Sequence, residues 1–114
     1  NGGDTMTTTQ STTTTIGGHT VHVDQEGFLT DPDEWDPQLG EALAQQIGIA
    51  LGPDHRTVIA FARADYTERG ESPTLRRVST GADVPVKTLF ELFPGKPAKK
   101  IAYVAGLPKP RGCV

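Results

Sequence analysis

The sequence predicts a mainly helical α+β domain, in which a small N-terminal antiparallel β-meander packs on an array of about five short helices. A run rich in β-branched residues, bounded by glycine turns, lies near the start of the chain. Segments with helical apolar spacing, separated by proline and glycine, fill the middle. A Gly/Pro/Lys/Arg stretch closes the chain as a flexible C-terminal arm. The 114 residues are enough for one domain with a modest core.

The first 14 residues are predicted to form a disordered tail. Residues 1–5 precede Met6, the only methionine, and are interpreted as an added remnant rather than native sequence. Thr7 to Thr14 is a Thr/Ser/Gln run without apolar spacing, which is typical of a mobile segment. We therefore expect regular structure from Thr15, a single domain over residues 15–105, and a mobile arm over residues 106–114.

The meander is predicted from three short runs. Gly17-Gly18 is a hairpin turn signal, and the β-rich run 19–23 follows it. Residues 24–27 form a second turn signal before Phe28-Leu29, the expected third strand. His19 and His22 are three apart and so lie on opposite faces of a strand, which argues against a metal site there.

Five helices are predicted from caps and apolar spacing. Their expected limits are Asp36-Pro37 to Gly48, Pro53 to Gly70, Ser72-Pro73 to Gly81, Pro85 to Phe93, and Pro97 to Ala105. In the fourth helix Val86, Leu89, Phe90 and Phe93 share helical spacing. In the fifth, Ile101, Val104 and Ala105 should face inward and Lys99-Lys100 outward.

Charge divides the chain into two halves. Residues 1–74 carry three arginines against twelve acidic residues, whereas residues 75–114 carry eight basic residues against two acidic ones. An acidic partner would therefore approach the C-terminal half. The chain contains no apolar run that could span a membrane and no signal-peptide pattern. We expect a cytoplasmic protein that does not contact a membrane.

The arm carries the only cysteine, Cys113. Lys109 and Arg111 precede it, and nearby cations favour the thiolate, the form that attacks sulfur. One cysteine cannot form a disulfide within the chain, and a zinc or iron–sulfur site would need further ligands, so no metal or other cofactor is expected. The residues alone leave Cys113 as a nucleophile, a carrier of a covalent adduct or an inert thiol.

A second interpretation concerns residues 72–93, which have the pattern of a helix-turn-helix with Arg76, Arg77 and Lys87 available to phosphates. This pattern gives the alternative function, a DNA-binding or regulatory protein that uses the basic C-terminal half. The acidic charge of the whole chain opposes it, because DNA-binding domains usually carry a dense basic patch. Direct binding to nucleic acid is therefore not expected.

Several motifs stand in one order between Ile16 and Val114. They are Val23-Asp24-x-Glu26-Gly27-Phe28-Leu29, Trp35, Pro73 with Arg76, Leu89-Phe90-Glu91-Leu92-Phe93-Pro94, Pro97-Ala98-Lys99, and Ala105-Gly106-Leu107-Pro108-Lys109-Pro110-x-Gly112-Cys113. In this order they resemble the DsrC/TusE family of sulfur-relay proteins. The resemblance implies a β-meander packed on a helical array. It also implies that Cys113 corresponds to the cysteine that carries sulfur as a persulfide or related polysulfur adduct.

The resemblance therefore implies a sulfurtransferase in the carrier sense, without independent turnover of a small substrate. Sulfur would come from a donor protein and go to an acceptor protein, in tRNA 2-thiouridine synthesis or in sulfur metabolism. The residues expected to stabilise the anionic persulfide or contact an acidic partner are Arg76, Lys99, Lys100, Lys109 and Arg111. The alternative for each of them is a solvated surface residue.

Two positions and one segment depart from the family pattern. Family members that serve dissimilatory sulfite reductase carry a second cysteine eleven residues before the terminal one, and this chain has Ala102 there. The resemblance is therefore to single-cysteine, TusE-like members. Arg56 follows His55 where tryptophan is common, and the segment from Thr80 to Val86 is shorter than usual. The last two differences bear on which partners the protein uses.

Overall fold

The computed structural model describes residues 12–110, and it begins with a two-stranded antiparallel sheet. Strand β1 (Thr12–Ile16) pairs with β2 (His19–Val23) along their full length. Gly17 and Gly18 form the turn, with φ of 56° and 85°. Glycine adopts this left-handed backbone without the steric cost that a Cβ would add.

The sheet differs from the predicted meander at both ends. The third strand is reduced to a single bridge between Val23 and Leu29, because the chain soon reaches Pro32, which has no amide hydrogen to donate to a ladder. At the other end β1 starts at Thr12, inside the predicted tail. Threonine is β-branched and suits a strand once β2 supplies its hydrogen bonds, which composition alone does not reveal.

The described residues contain five α-helices after a short 3₁₀ turn at Pro32–Glu34. They are α1 (Pro37–Gln46), α2 (Pro53–Arg69), α3 (Leu75–Ala82), α4 (Val86–Leu92) and α5 (Pro97–Val104). This order confirms the predicted fold class. No helix within residues 12–110 is both long and apolar enough to cross a membrane.

The expected end of the third helix at Gly81 is wrong. Gly81 lies inside α3, and a Cβ at this position would stand 2.1 Å from the ring of Phe61 on α2. The glycine therefore permits close packing of α2 and α3. The helix ends instead at Ala82, and Asp83 caps it with φ of 59°.

Two groups of buried side chains form the core. The smaller group lies between the sheet and α1. The larger group lies among α2, α3, α4 and α5 and reaches the start of the arm. Trp35 and Tyr103 pack against both groups. The smaller group is Ile16, Val21, Val23, Leu29, Leu39 and Leu43; the larger includes Phe28, Val58, Ala62, Val78, Leu89, Phe93, Ile101, Val104 and Leu107.

The last two helices differ in how much they bury. On α5 the predicted inward residues Ile101 and Val104, with Ala105 directly after the helix, are all buried. On α4 only half of the predicted apolar face is inside, since Val86 and Phe90 remain 40% and 47% exposed. The helix that leads into the arm is thus the more firmly packed of the two.

Candidate functional site at the base of the C-terminal arm

The arm leaves the domain directly after α5, and its described part is residues 106–110, here called the arm base. Two predicted site residues, Cys113 and Arg111, lie outside the described residues. The site is therefore built here from the arm base, from what holds it, and from the remaining predicted cations.

Gly106 lies against the side chain of Trp35. With φ of 71° it takes the left-handed conformation that ends many helices, and a Cβ here would stand 2.4 Å from Cδ1 of Trp35. The indole Nε1 donates a hydrogen bond of 2.9 Å to the carbonyl of Val104, the last residue of α5. The indole thus fixes the point at which the chain leaves the helix.

Arg63 of α2 contacts both the Trp35 ring and the end of α5. Its guanidinium lies 4.3 Å from the centroid of the Trp35 ring. It donates hydrogen bonds to the carbonyl oxygens of Ala105, at 2.7 Å, and Pro32, at 3.1 Å. Burial lowers the pKa of Arg63, but the guanidinium stays charged at any physiological pH. The bond to Ala105 satisfies a carbonyl oxygen at the end of α5, and the bond to Pro32 joins α2 to the 3₁₀ turn.

The next two residues of the arm base are also tied to the domain. Leu107 is only 1% exposed, and its amide donates to the carbonyl of Ala102 at 2.9 Å. The hydroxyl of Ser72 donates to the carbonyl of Pro108 at 2.6 Å. Trp35, Arg63 and Ser72 are called the inner anchor below. Residues 107 and 108 therefore contact the domain, which the sequence did not predict, because a Pro/Gly pattern indicates extended backbone but not its contacts.

Lys99 and Lys109, two of the predicted cations, meet at one carboxylate. Oε1 of Glu26 lies 3.5 Å from Nζ of Lys99 on α5, and Oε2 is hydrogen-bonded by Nζ of Lys109 in the arm base. The hydrogen bond from Lys109 lowers the pKa of Glu26 below its ordinary 4.5, and the charge of Lys99 acts in the same direction. Glu26, Lys99 and Lys109 are called the outer anchor below. It lies at the surface, with the Glu26 side chain 45% exposed.

Lys100 lies beside this group. It lines the same surface cavity of about 330 Å³ as Lys99, together with Glu26, Phe28, Ile47 and Tyr103. Burial raises the pKa of the Tyr103 phenol from its ordinary 10.0, so this ring is neutral in the physiological range. The structure thus gathers Lys99, Lys100 and Lys109 on one side of the arm base.

Arg76 is not part of this group. It is exposed on α3, and its side chain makes no hydrogen bond or ion pair with other residues of the described range 12–110. Its neighbour Arg77 donates to both carboxylate oxygens of Asp65, at 2.5 Å and 3.2 Å, and that carboxylate is buried. This pair raises the pKa of Arg77 and joins α3 to α2. Arg77, which the helix-turn-helix interpretation offered to phosphates, is thus engaged within the domain.

Sequence reasoning did not predict a role for Glu26, Arg63 or Ser72 in holding the arm. The motif around Glu26 could have indicated such a role, because an acidic residue in a turn beside glycine does not contribute to a hydrophobic core. For Arg63 and Ser72 no local signal exists, since their partners lie 42 and 36 residues away. No set of three or more His, Cys, Asp or Glu side chains within the described residues could hold a metal ion.

Comparison with known protein families agrees with this arrangement. A family model described as "DsrC like protein" matches residues 15–114. The gamma subunit of dissimilatory-type sulfite reductase from Nitratidesulfovibrio vulgaris is 39% identical over 101 residues, which cover 88% of this chain and 96% of that protein. Sulfurtransferase TusE of Escherichia coli O6:H1 is 35% identical over 104 residues, covering 85% of this chain and 95% of that protein.

Solved structures have the same fold. The NMR structure of DsrC from Allochromatium vinosum aligns with a TM-score of 0.77 at 33% identity, covering 91% of this chain and 99% of that one. The crystal structure of dissimilatory sulfite reductase I contains a chain that aligns with a TM-score of 0.78 at 34% identity, covering 90% of this chain and all of that one. Nothing in these comparisons supports the DNA-binding alternative.

Proposed function

This chain belongs to the DsrC-like protein family and is a sulfur carrier, and we propose that it carries sulfane sulfur as a persulfide on Cys113. The observation that supports this most is the family match across residues 15–114, which includes the arm and its cysteine. The inner anchor also supports this proposal, because it fixes the point at which the arm that carries Cys113 leaves the domain.

The proposed transfer is an exchange between sulfur atoms. The Cys113 thiolate attacks the outer sulfur of a donor persulfide, R–S–SH. A sulfur–sulfur bond to Cys113 forms, the bond within the donor breaks, and the donor leaves as R–S⁻. The outer sulfur keeps its proton or loses it to water, and no external oxidant is needed. An acceptor thiolate then removes the sulfur from Cys113 in the same way.

The cations on one side of the arm base support the anionic forms in this exchange. Both the thiolate and the persulfide anion are favoured by nearby positive charge. Lys99, Lys100 and Lys109 supply it in the described part of the chain, and Arg111 adds to it beyond. Arg76 is assigned the second predicted role, contact with an acidic partner, because its side chain is exposed on α3 and it is not one of the cations that pair with Glu26.

The partners are proposed to be a sulfur-donor protein and a sulfur-acceptor protein. Ala102, the position at which some family members carry a second cysteine, is 1% exposed on α5. With one cysteine the chain cannot close an internal sulfur bridge, so the sulfur must leave to another protein. This feature favours a TusE-like role in tRNA 2-thiouridine synthesis over a role as a sulfite reductase subunit.

The test is sulfur loading followed by intact mass measurement. Incubated with polysulfide, the protein should gain whole multiples of the mass of sulfur, all removed by a reducing agent. Cys113→Ala, with its fold verified by circular dichroism, should gain none. Equal loading of that variant would exclude Cys113 as the carrier.

A further inference from the structure

The only two large hydrophobic side chains that are exposed within residues 12–110 lie on the same helix, α4. Val86 is 40% exposed and Phe90 is 47% exposed. They are four residues apart, so they lie on one side of the helix, one turn from each other. Apolar side chains gathered at one exposed place are typical of an interaction surface, whereas scattered ones are not. Val86 and Phe90 are called the apolar pair below.

Contacts on the opposite side of α4 keep the apolar pair outside. Leu89 and Phe93 are both 0% exposed. The ring of His55 lies edge to face with Phe93, with centroids 5.1 Å apart, and its Nε2 donates to the carbonyl of Leu92 at 3.0 Å. The helix cannot roll to bury the apolar pair without losing these contacts. The exposed side of α4 is therefore a fixed feature of the fold.

Two charges of opposite sign accompany the apolar pair. Lys87 and Glu91 each follow one of its members directly, and both are exposed. They lie one helical turn apart, and neither side chain makes a hydrogen bond or ion pair with another residue of the described range. Together with the apolar pair they are called the α4 face. The α4 face thus has a cation toward its start, an anion toward its end, and no net charge.

This pattern is complementary to itself when two copies lie antiparallel. A two-fold axis repeats every contact, so the start of the helix in one copy meets its end in the other. Val86 then packs beside Phe90 of the second copy. Lys87 likewise lies beside Glu91 of the second copy. A parallel arrangement would bring like charges together, so the charges also select the orientation.

We propose that the α4 face binds the α4 face of a second copy of this chain, antiparallel and across a two-fold axis. Four side chains per copy bury far less than the roughly 800 Å² per partner of a standard stable interface. The association is therefore weak, reversible and dependent on protein concentration. It involves neither the arm nor Cys113, and so it goes beyond the proposed function and does not rest on it.

The test reverses charges on the α4 face and then mixes two variants. Lys87→Glu leaves two negative charges on this face, and Glu91→Lys leaves two positive ones. Each variant alone should associate more weakly than the original protein, by about two- to fivefold for each of the two charge pairs, because like charges then meet. An equimolar mixture should recover the association, since every negative face can meet a positive one.

NMR detects this association and also locates it. Isotope-labelled Lys87→Glu at about 0.1 mM is titrated with unlabelled Glu91→Lys up to about 1 mM, a range in which weak complexes are populated. A reducing agent is present throughout, so no disulfide through Cys113 can form. The amide resonances of α4 should move, and unlabelled Lys87→Glu should move them much less. At about 1 M ionic strength, where the screening length is only ~3 Å, the two titrations should converge.

Glu68→Lys is the matched control for charge. Glu68 is exposed on α2, and its reversal changes the net charge as much as Glu91→Lys does. Added unlabelled to labelled Lys87→Glu, it should act like the original protein and less strongly than Glu91→Lys. Phe90→Ser tests the apolar contact. With its fold verified by circular dichroism, it should weaken self-association by at least about tenfold, because both copies lose an aromatic ring from the contact.

Three results would overturn the inference. They are α4 resonances of the original protein that do not change between dilute solution and about 1 mM, a mixture that associates no better than either variant alone, and movement confined to other elements. An α4 face that does not self-associate would be left to a different protein, and the proposal would be wrong. Sulfur loading at Cys113 proceeds in a monomer as well as in a dimer, so neither test decides the other.

Discussion

The inner and outer anchors hold the same short stretch of chain by opposite kinds of contact. The inner anchor is half-buried and donates hydrogen bonds to backbone carbonyl oxygens, with Leu107 enclosed beside it. The outer anchor is a charged group at the surface, with Lys109 42% exposed. Breaking a contact shielded from water leaves polar groups without partners, whereas water readily replaces an exposed ion pair. The outer anchor is therefore the weaker of the two contacts that hold the arm base.

The largest expected effect comes from removing the buried side chain of the arm base. Leu107→Ala should lower the free energy of unfolding by about 2–5 kcal/mol, because it opens a cavity in a fully packed region. Leu43→Ala is the control, since Leu43 is 0% exposed but belongs to the core group at the sheet.

Thermal unfolding should show a similar loss of stability in the two variants. At a temperature where both remain folded, only Leu107→Ala should also speed alkylation of Cys113. If Leu43→Ala speeds alkylation equally, the effect of Leu107→Ala is a general loss of stability and is not specific to the arm base.

A smaller effect is expected from adding a methyl group at the contact with Trp35. Gly106→Ala places a Cβ against the indole, and such overpacking costs about 1–3 kcal/mol. Gly48→Ala provides the reference, because Gly48 has a similar φ of 75° but nothing within 4 Å of its would-be Cβ. The difference between the two variants, measured by chemical denaturation, isolates the contact from the backbone strain. Equal losses would mean that the indole moves aside freely.

The smallest effect should appear on acidification and should touch the outer anchor alone. Its hydrogen bond from Lys109 lowers the pKa of Glu26 below 4.5. Because the folded pKa is the lower one, the stabilisation is fully present above about pH 4.5 and is lost as the pH falls through the folded value.

NMR can follow this change in the range where circular dichroism shows an intact fold. The amide resonance of Lys109 should move with the titration of Glu26, and that of Leu107 should not. Glu26→Gln should abolish the movement. Shifts of both amides together would show that the two anchors are one unit.

Local patterns were sufficient for the parts of the fold that depend on neighbours in sequence. Asp36 accepts the amide of Leu39 at 2.8 Å as a helix cap, and Gly70 ends α2 with φ of 77°, as proline, glycine and capping rules predict. Spacing along α5 likewise identified its buried face. The motifs of the arm are specific enough to identify the family from the amino-acid sequence alone.

The remaining features depend on residues distant in sequence. Gly81 resembles a helix end until Phe61 is seen to need the space beside it. The exposure of Val86 and Phe90 follows from how α4 lies on its neighbours, which apolar spacing alone does not determine. The pairing of Glu26 with Lys109 spans most of the chain, and nothing in either local segment specifies the other.

Trp35 is the only tryptophan in the chain, and it touches Gly106 while Arg63 lies over its ring. The protein therefore contains a natural optical reporter at the root of its arm. Tryptophan fluorescence of this protein therefore comes from a single site. Undocking of the arm base would admit water to the ring and shift its emission to longer wavelength, so the movement can be timed in unlabelled protein.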